Sequence, residues 1–284
     1  MNDIISLRYR EDVINTVLSD KPLKAIQIND FDKFLRLNSN IRVGLTNFRE
    51  LQYYGPLYLG SNRQKLNFVY DTGSSWLWFP KSTCVGCPTK HRYDTKSSVF
   101  YNETSQVVDL YYGKGHVSGN VSYDYVALMS LEVRSIPVKM IAVNGAEDLE
   151  GTQADGILGL SPEPKSGAES LVKRLADERI IDAAQFTVFL GTSGESSYVD
   201  FGKYKGNMSN VTWVPLLDTN YWKVRLSSMS YKNKPIELLT TKAVLDTGSS
   251  IIGFPRADLR NIIFAVKEDR QLFYLEDINF YGVR

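Results

Sequence analysis

One short motif occurs twice in the chain, and it carries the residue types that could do chemistry. Residues 71–75 read Asp-Thr-Gly-Ser-Ser, and the same sequence recurs at residues 246–250. Each copy follows an apolar stretch, and a Phe-Pro pair follows each aspartate after the same interval. The 175 residues that separate Asp71 from Asp246 are too many for a solenoid repeat and indicate two related lobes.

The motif supplies what a functional carboxylate needs. An aspartate at the end of a buried strand is costly unless it is hydrogen-bonded or functional. In each copy the glycine permits a tight turn, the serine provides a hydroxyl, and the threonine can hold the loop. These dyad-supporting residues are Thr72, Gly73, Ser74, Thr247, Gly248 and Ser249. Two identical elements indicate a pseudo-two-fold site with Asp71 and Asp246 as its catalytic pair, and such close carboxyl groups share a proton.

The elements that must position this pair are predominantly strands. From Tyr53 onward, short runs rich in Val, Tyr, Phe, Thr and Leu alternate with clusters of Gly, Asn, Asp and Ser. Strands are predicted at residues 64–70, 105–112, 119–129, 186–190, 198–201 and 222–226. Apolar spacing predicts helices at residues 169–179 and 256–266. The first 45 residues are charged and partly helical in pattern, and we interpret them as an N-terminal extension.

Composition excludes several classes of protein. Of the 284 residues, 43% are hydrophobic and 23% are charged, so a sizeable core is expected and disorder is not. The net charge of +1 lacks the basic excess of a nucleic-acid-binding protein. Apolar runs are too short for a membrane span. With two histidines and two cysteines, we predict no metal site.

Further motifs follow the first copy in order. Residues 76–80 read Trp-Leu-Trp-Phe-Pro, 111–119 read Tyr-Tyr-Gly-Lys-Gly-His-Val-Ser-Gly, and 155–160 read Asp-Gly-Ile-Leu-Gly-Leu. Together with both Asp-Thr-Gly-Ser-Ser motifs, this set resembles the pepsin-like (A1) aspartic endopeptidases over roughly residues 52–266. The resemblance implies an all-β, bilobal pepsin-like acid-protease fold with pseudo-two-fold lobes and few short helices.

The resemblance also implies a mechanism. Water held between Asp71 and Asp246 attacks the peptide bond, with one carboxylate as general base and the other carboxyl group donating to the scissile carbonyl oxygen at acidic pH. Polypeptides are then the substrates, and no cofactor is needed.

Several other roles follow from the resemblance. Ser74 and Ser249 would orient the outer carboxylate oxygens. Tyr112 and Gly113 would lie in a flap over the substrate, with Trp78 as the hydrogen-bond partner of Tyr112. Ile157 would contact substrate.

The second lobe is expected to be incomplete. Ile157 lies 86 residues after Asp71, and an equivalent segment after Asp246 would fall beyond residue 284. We therefore divide the chain into an N-terminal extension in the place of a propeptide (1–45), an N-terminal catalytic lobe (46–190) and a partial C-terminal catalytic lobe (191–284). An inactive, truncated pseudo-protease or peptide-binding fragment is the alternative function. Because both motifs lie in one chain, we expect a monomer.

The cysteines and sequons bear on the compartment. Cys84 and Cys87 form a Cys-x-x-Cys sequence, which suits a zinc half-site, a redox pair or, as the favoured interpretation, a local disulfide. Sequons for N-glycosylation begin at Asn102, Asn120, Asn207 and Asn210 and favour a secreted glycoprotein. Residues 1–20 show no apolar signal region. The expected location is the secretory pathway, a lysosome- or vacuole-like compartment, or the extracellular space.

Overall fold

The protein is built mainly from strands. The structure is a computed structural model that describes residues 40–89, 91–130, 134–192, 194–268, 270–275 and 280–283. The predicted helical pattern before residue 40 lies outside the described residues. Residues 41–45, which the sequence groups with the N-terminal extension, form the first part of strand β1.

Ten strands form one large sheet. Their bounds are β1 (Ile41–Phe48), β2 (Gln52–Leu59), β3 (Gln64–Asp71), β4 (Leu77–Val85), β5 (Asn102–Tyr111), β6 (His116–Ala127), β7 (Ile136–Glu147), β8 (Gly156–Gly159), β9 (Phe186–Phe189) and β10 (Ser197–Phe201). The order across the sheet is β5-β6-β7-β4-β8-β3-β2-β1-β10-β9, with a further pairing between β6 and β2. The predicted all-β class is therefore confirmed.

The remaining elements are small. The strands β11 (Lys223–Arg225), β12 (Met229–Tyr231), β13 (Lys234–Ile236), β14 (Lys242–Val244), β15 (Leu272–Leu275) and β16 (Phe280–Val283) form two-stranded sheets. The helices are α1 (Leu171–Asp177) and α2 (Arg256–Val266). Helix α1 is shorter than predicted because Ser170 caps its N-terminus by accepting from the Lys173 N–H, and Arg179 has a φ of 57°.

The hairpin of β5 and β6 extends further than predicted. The pairing continues to Tyr111 opposite His116. Strand β6 therefore begins at His116, three residues before the predicted start at Gly119. Gly119 lies within β6, where β7 leaves no room for a side chain. A Cβ at this position would lie 2.7 Å from the Cα of Val143. Close approach of neighbouring backbone, and not a turn, explains this glycine.

Strand β8 positions the first motif. It runs parallel to β3, with Gly159 opposite Asp71, and antiparallel to β4, with Leu158 opposite Leu77. A Cβ at Gly159 would lie 2.6 Å from the Trp76 backbone nitrogen, so only glycine lets this strand pass so close to the motif. The segment read from the sequence as Asp-Gly-Ile-Leu-Gly-Leu therefore supports the loop that carries Asp71.

The core has two parts. Strands β2 and β3 bury Leu57 and Phe68 in the larger cluster, against which helix α1 packs Leu171 and Leu175. The smaller cluster is centred on the tryptophans after the first motif and lies beneath the β5–β6 hairpin. Its buried members are Trp76, Trp78, Val117, Val121, Ile141, Val143, Ala146 and Leu149. Half-buried Tyr112 and Ile157 pack against this smaller cluster, which links the hairpin to the first motif.

The second copy of the motif lies in a more exposed setting. Ile251 and Ile252 are 54% and 79% exposed, whereas Trp76 and Leu77 at the same positions of the first copy are both 3% exposed. Within the described ranges, β14 pairs only with β11, and no strand takes the place that β8 has beside β3.

Candidate active site

The two motifs meet through their threonines. Thr72 Oγ1 donates to the Leu245 carbonyl at 2.9 Å, and Thr247 Oγ1 donates to the Tyr70 carbonyl at 2.5 Å. Each hydroxyl also accepts from the backbone N–H of the other threonine, at 3.1 Å for Thr72 N and 2.9 Å for Thr247 N. This reciprocal arrangement joins the residues that precede the two aspartates and places both loops on one axis.

Each glycine of the motifs lies against the aspartate of the opposite copy. The Gly73 N–H donates to Asp71 Oδ1 at 2.9 Å, and the Gly248 N–H donates to Asp246 Oδ1 at 2.9 Å. A Cβ at Gly73 would lie 2.6 Å from the carboxyl carbon of Asp246, and a Cβ at Gly248 would collide with Asp71 Oδ1. The structure therefore brings both carboxyl groups to one site, and a side chain at either glycine would displace the carboxyl group that lies against it.

The two carboxyl groups differ in their surroundings. Asp71 is 6% exposed, whereas Asp246 is exposed. Burial, followed by the negative charge of Asp246, raises the pKa of Asp71 to about 6, against the opposing effects of the Ser74 hydroxyl and the Gly73 N–H. Asp71 therefore keeps its proton to a higher pH than an ordinary aspartate does.

The serines of the two motifs are not equivalent. The buried Ser74 hydroxyl lowers the pKa of Asp71, although Ser74 Oγ has no hydrogen bond of good geometry among the described residues. Ser249 Oγ donates instead to the Ile251 carbonyl at 3.0 Å, so the structure does not bring it to a carboxylate oxygen of Asp246. In this geometry Ser249 does not orient the outer carboxylate oxygen of Asp246, although the resemblance led us to expect that it would.

Ser75, Ser161 and Trp222 support the first motif, and the sequence did not predict these roles. Ser75 Oγ lies 2.8 Å from Ser161 Oγ, and Trp222 Nε1 donates to the Leu160 carbonyl at 2.7 Å. The Leu160 N–H in turn donates to the Asp71 carbonyl at 2.7 Å. Only Ser75 could have been found from the sequence, since it recurs in both copies of the motif. The contacts of Ser161 and Trp222 depend on tertiary structure and leave no local pattern.

The β5–β6 hairpin contacts the tryptophans that follow the first motif. The Tyr112 N–H donates to the Gly115 carbonyl at 2.9 Å and closes the turn that carries Gly113, which is exposed. Trp78 Nε1 donates to the Tyr112 hydroxyl at 2.8 Å. Burial and then the nearby charge of Asp71 raise the pKa of Tyr112, so its phenol stays neutral beside the carboxyl pair.

The turn between β5 and β6 is also held in place. Lys114 Nζ donates to the Glu150 carbonyl at 2.6 Å. A Cβ at Gly115, whose φ is 84°, would lie 2.5 Å from the Glu147 carbonyl oxygen, so the tip packs closely on the turn after β7. The sequence analysis missed this contact, for which the isolated lysine between two glycines was the only signal.

The cysteines form a disulfide. Cys84 and Cys87 are joined by an S–S bond of 2.00 Å at the end of β4, as the favoured interpretation of the Cys-x-x-Cys sequence predicts. Among the described residues, no group of three or more His, Cys, Asp or Glu side chains is arranged to hold a metal ion.

Comparison with known proteins decides the family. A family model described as eukaryotic aspartyl protease matches residues 52–275 of the chain. The chain belongs to the eukaryotic aspartyl protease family. The predicted resemblance to pepsin-like enzymes is thereby confirmed.

Three relatives in this family are between 27% and 33% identical to the chain over the aligned residues. Pepsin A from Gallus gallus is 31% identical over 227 residues, which cover 77% of this chain and 62% of the relative. Chymosin from Camelus dromedarius is 27% identical over 89% of this chain and 68% of the relative. Plasmepsin IV from Plasmodium falciparum is 33% identical over 78% of this chain and 51% of the relative. The chain therefore spans about half to two thirds of the length of these aspartyl proteases.

The described helices span seven and eleven residues. Among the residues that the structure describes, no helix is both long and apolar enough to cross a bilayer.

Proposed function

We propose that this chain is an aspartic endopeptidase that hydrolyses peptide bonds at acidic pH with water activated by Asp71 and Asp246. The single observation that carries the proposal is the reciprocal contact between Thr72 and Thr247. It brings the two carboxyl groups together with each group against the other motif's glycine. Membership of the aspartyl protease family supports the same reaction.

The surroundings of the two carboxyl groups support different roles for them. Below pH 6 the buried Asp71 is protonated and donates to the carbonyl oxygen of the scissile peptide bond. Asp246, which is exposed, accepts a proton from the water that attacks the carbonyl carbon. The C–N bond then breaks, and the amine leaves with the proton that Asp246 took from the water. Asp71 regains its proton from a hydroxyl of the tetrahedral intermediate, which becomes the product's carboxyl group. Both carboxyl groups return to their starting states.

The β5–β6 hairpin would act as a flap, with a polypeptide substrate in a cleft between it and the two carboxyl groups. Tyr112 lies near enough to Asp71 to be affected by its charge, and it would exclude water when a polypeptide is bound. An extended peptide would bind mainly through its backbone, and Gly113 and Ile157 would contact it. Because both aspartates come from one chain, the site needs no second copy, and we propose a monomer. The reaction uses only the two carboxyl groups and water, without a cofactor.

The compartment follows from the disulfide and the sequons. The Cys84–Cys87 disulfide favours an oxidising compartment. We therefore propose the secretory pathway, a lysosome- or vacuole-like compartment, or the extracellular space. Residues 1–45 stay in our proposal as an N-terminal extension in the place of a propeptide, residues 46–190 as the N-terminal lobe and residues 191–284 as a partial C-terminal lobe.

One observation favours the alternative of peptide binding without cleavage. Asp246 is exposed, and no strand beside β14 buries its loop among the described residues. A catalytic group displaced by about 1 Å can lose about 10²-fold in rate. In this alternative the chain would bind a peptide without hydrolysing it.

A cleavage assay separates these functions. The purified chain is incubated with denatured globular protein and a fluorogenic peptide between pH 3 and pH 7, with Asp71→Asn as control. We expect wild-type cleavage that declines above pH 6, where Asp71 loses its proton, and loss of about 10³-fold or more in the variant. Folded wild-type protein that binds the peptide without cutting it would instead establish the alternative.

Tyr112 offers a test of the flap. Tyr112→Phe removes the hydroxyl that accepts from Trp78 and leaves the indole N–H buried without a partner, at a cost of about 1–3 kcal/mol. We expect kcat/KM to fall about tenfold. Tyr111→Phe is the matched control, because Tyr111 is the adjacent flap tyrosine and is 79% exposed. Equal kinetics for the two variants would remove Tyr112 from the site.

A further inference from the structure

The four sequons are the sequence motifs that the proposed function does not use, and the structure separates them. We propose that the turn at residues 207–212 accepts an N-linked oligosaccharide on Asn207 or Asn210, whereas Asn120 carries none in the folded protein. The inference concerns the surface of the second lobe and does not depend on catalytic activity.

The turn presents its asparagine side chains to solvent. Residues 203–210 are all exposed, and one turn of 3-10 helix spans Met208–Asn210. Asn207 Oδ1 accepts from the Ser209 N–H at 3.0 Å and from the Ser209 hydroxyl at 2.8 Å. Because the carbonyl end of the Asn207 amide is held against the turn, its Nδ2 end points away from the turn. Asn210 Oδ1 lies 3.4 Å from the same hydroxyl and is oriented in the same way.

The Nδ2 atom is the one that takes part in the chemistry. A bond forms between Nδ2 and the anomeric carbon of an oligosaccharide carried on a lipid pyrophosphate. The bond from that carbon to the pyrophosphate oxygen breaks, the pyrophosphate leaves with the electron pair, and the amide nitrogen loses one proton. A sugar attached to Asn207 or Asn210 would extend into solvent without breaking a contact of the fold.

Asn120 is the opposite case. Its Nδ2 donates to the Thr104 carbonyl at 3.1 Å, and its Oδ1 accepts from Asn144 Nδ2 at 2.7 Å. It lies in β6 between β5 and β7, and Ser122 of the same sequon is fully buried. Because the oligosaccharide is added before the chain folds, the fold acts as a filter. A chain modified at Asn120 could not form this part of the sheet and would not be recovered folded.

Two further observations support a glycan on the turn. The Cys84–Cys87 disulfide favours an oxidising compartment, and sugar transfer also occurs in such a compartment. Beside the turn, Met208 is 51% exposed and Trp213 is 72% exposed. An oligosaccharide on this turn would cover apolar surface that otherwise promotes association.

The test uses the full chain secreted from a eukaryotic host behind a cleavable leader. N-glycans are removed enzymatically in ¹⁸O water, which converts each occupied asparagine to a labelled aspartate, and the sites are read by peptide mass spectrometry. Ser209→Ala removes only the Asn207 sequon, and Thr212→Ala removes only the Asn210 sequon. Asn102, which is exposed at the start of the edge strand β5, reports whether the chain met the transferase.

We expect label at Asn207 or Asn210 in the wild type, none there in the double variant, and none at Asn120 in folded protein. The double variant should also run faster on a gel by the mass of one glycan. If neither Asn207 nor Asn210 of the secreted wild-type chain carries the label, the proposal is overturned, whether or not Asn102 is labelled. Label at Asn120 in the folded fraction would overturn it equally.

Discussion

Gly73→Ala should lower kcat/KM by about 10²-fold or more. The new methyl group would lie 2.6 Å from the carboxyl carbon of Asp246, which is closer than any real carbon contact. Relief requires the two aspartates to move apart, and a displacement of about 1 Å at a catalytic group can cost about 10²-fold. Initial rates with a fluorogenic peptide at pH 4.5 measure the loss.

Gly253→Ala is the matched control for this prediction. Gly253 follows the second motif, nothing lies within 4 Å of the position its Cβ would take, and its φ lies outside the left-handed region. We expect its activity and thermal stability to stay near wild type. Wild-type activity in Gly73→Ala would mean that Asp246 does not lie against Gly73 in the working enzyme.

Asp71→Asn should stabilise the protein at neutral pH while it abolishes cleavage. The pKa of Asp71 is about 6 in the folded chain, above its ordinary value of 3.8. Between these values the folded state binds more protons than the unfolded state, so the free energy of unfolding falls as the pH rises. Above pH 6 the folded protein bears the full cost of a buried charge, which asparagine does not carry.

The expected gain is about 1–3 kcal/mol at pH 7.5, since one pKa unit corresponds to about 1.4 kcal/mol. In a chain of this size that gain raises Tm by roughly 5 °C. At pH 3.5 the gain should vanish because Asp71 is then protonated in both states. Asp177→Asn, at a half-exposed side chain paired with Lys173, is the control and should give no gain at either pH. A Tm for Asp71→Asn that does not exceed wild type at pH 7.5 would contradict the burial of an ionisable Asp71.

The repeated motif was enough to predict how the two loops meet. Identical strand–turn elements tend to pack about a common axis, and the contacts of Thr72 and Thr247 are reciprocal as that symmetry requires. Runs rich in Val, Tyr, Phe, Thr and Leu predicted the strands, and Pro255 predicted the start of helix α2. These features are local in sequence, so a single chain displays them.

The asymmetry of the site could not be predicted in the same way. Two identical motifs gave no reason for Ser249 to bond the Ile251 carbonyl while Ser74 faces Asp71. The difference depends on β8, which covers the first motif only. Likewise, the contact of Trp222 with Leu160 joins residues that are 62 positions apart and has no local signal.

The most direct test of the account asks whether Asp71 and Asp246 share one site. The carboxyl carbons of ¹³C-labelled aspartate are followed by NMR from pH 3 to pH 8 in the wild type and in Asp246→Asn. We expect Asp71 to titrate near pH 6 in the wild type. In the variant it should titrate at a lower pH, still above 3.8, because burial remains and the neighbouring charge is gone. An Asp71 titration that is unchanged by Asp246→Asn would show that the two motifs do not form a common catalytic pair.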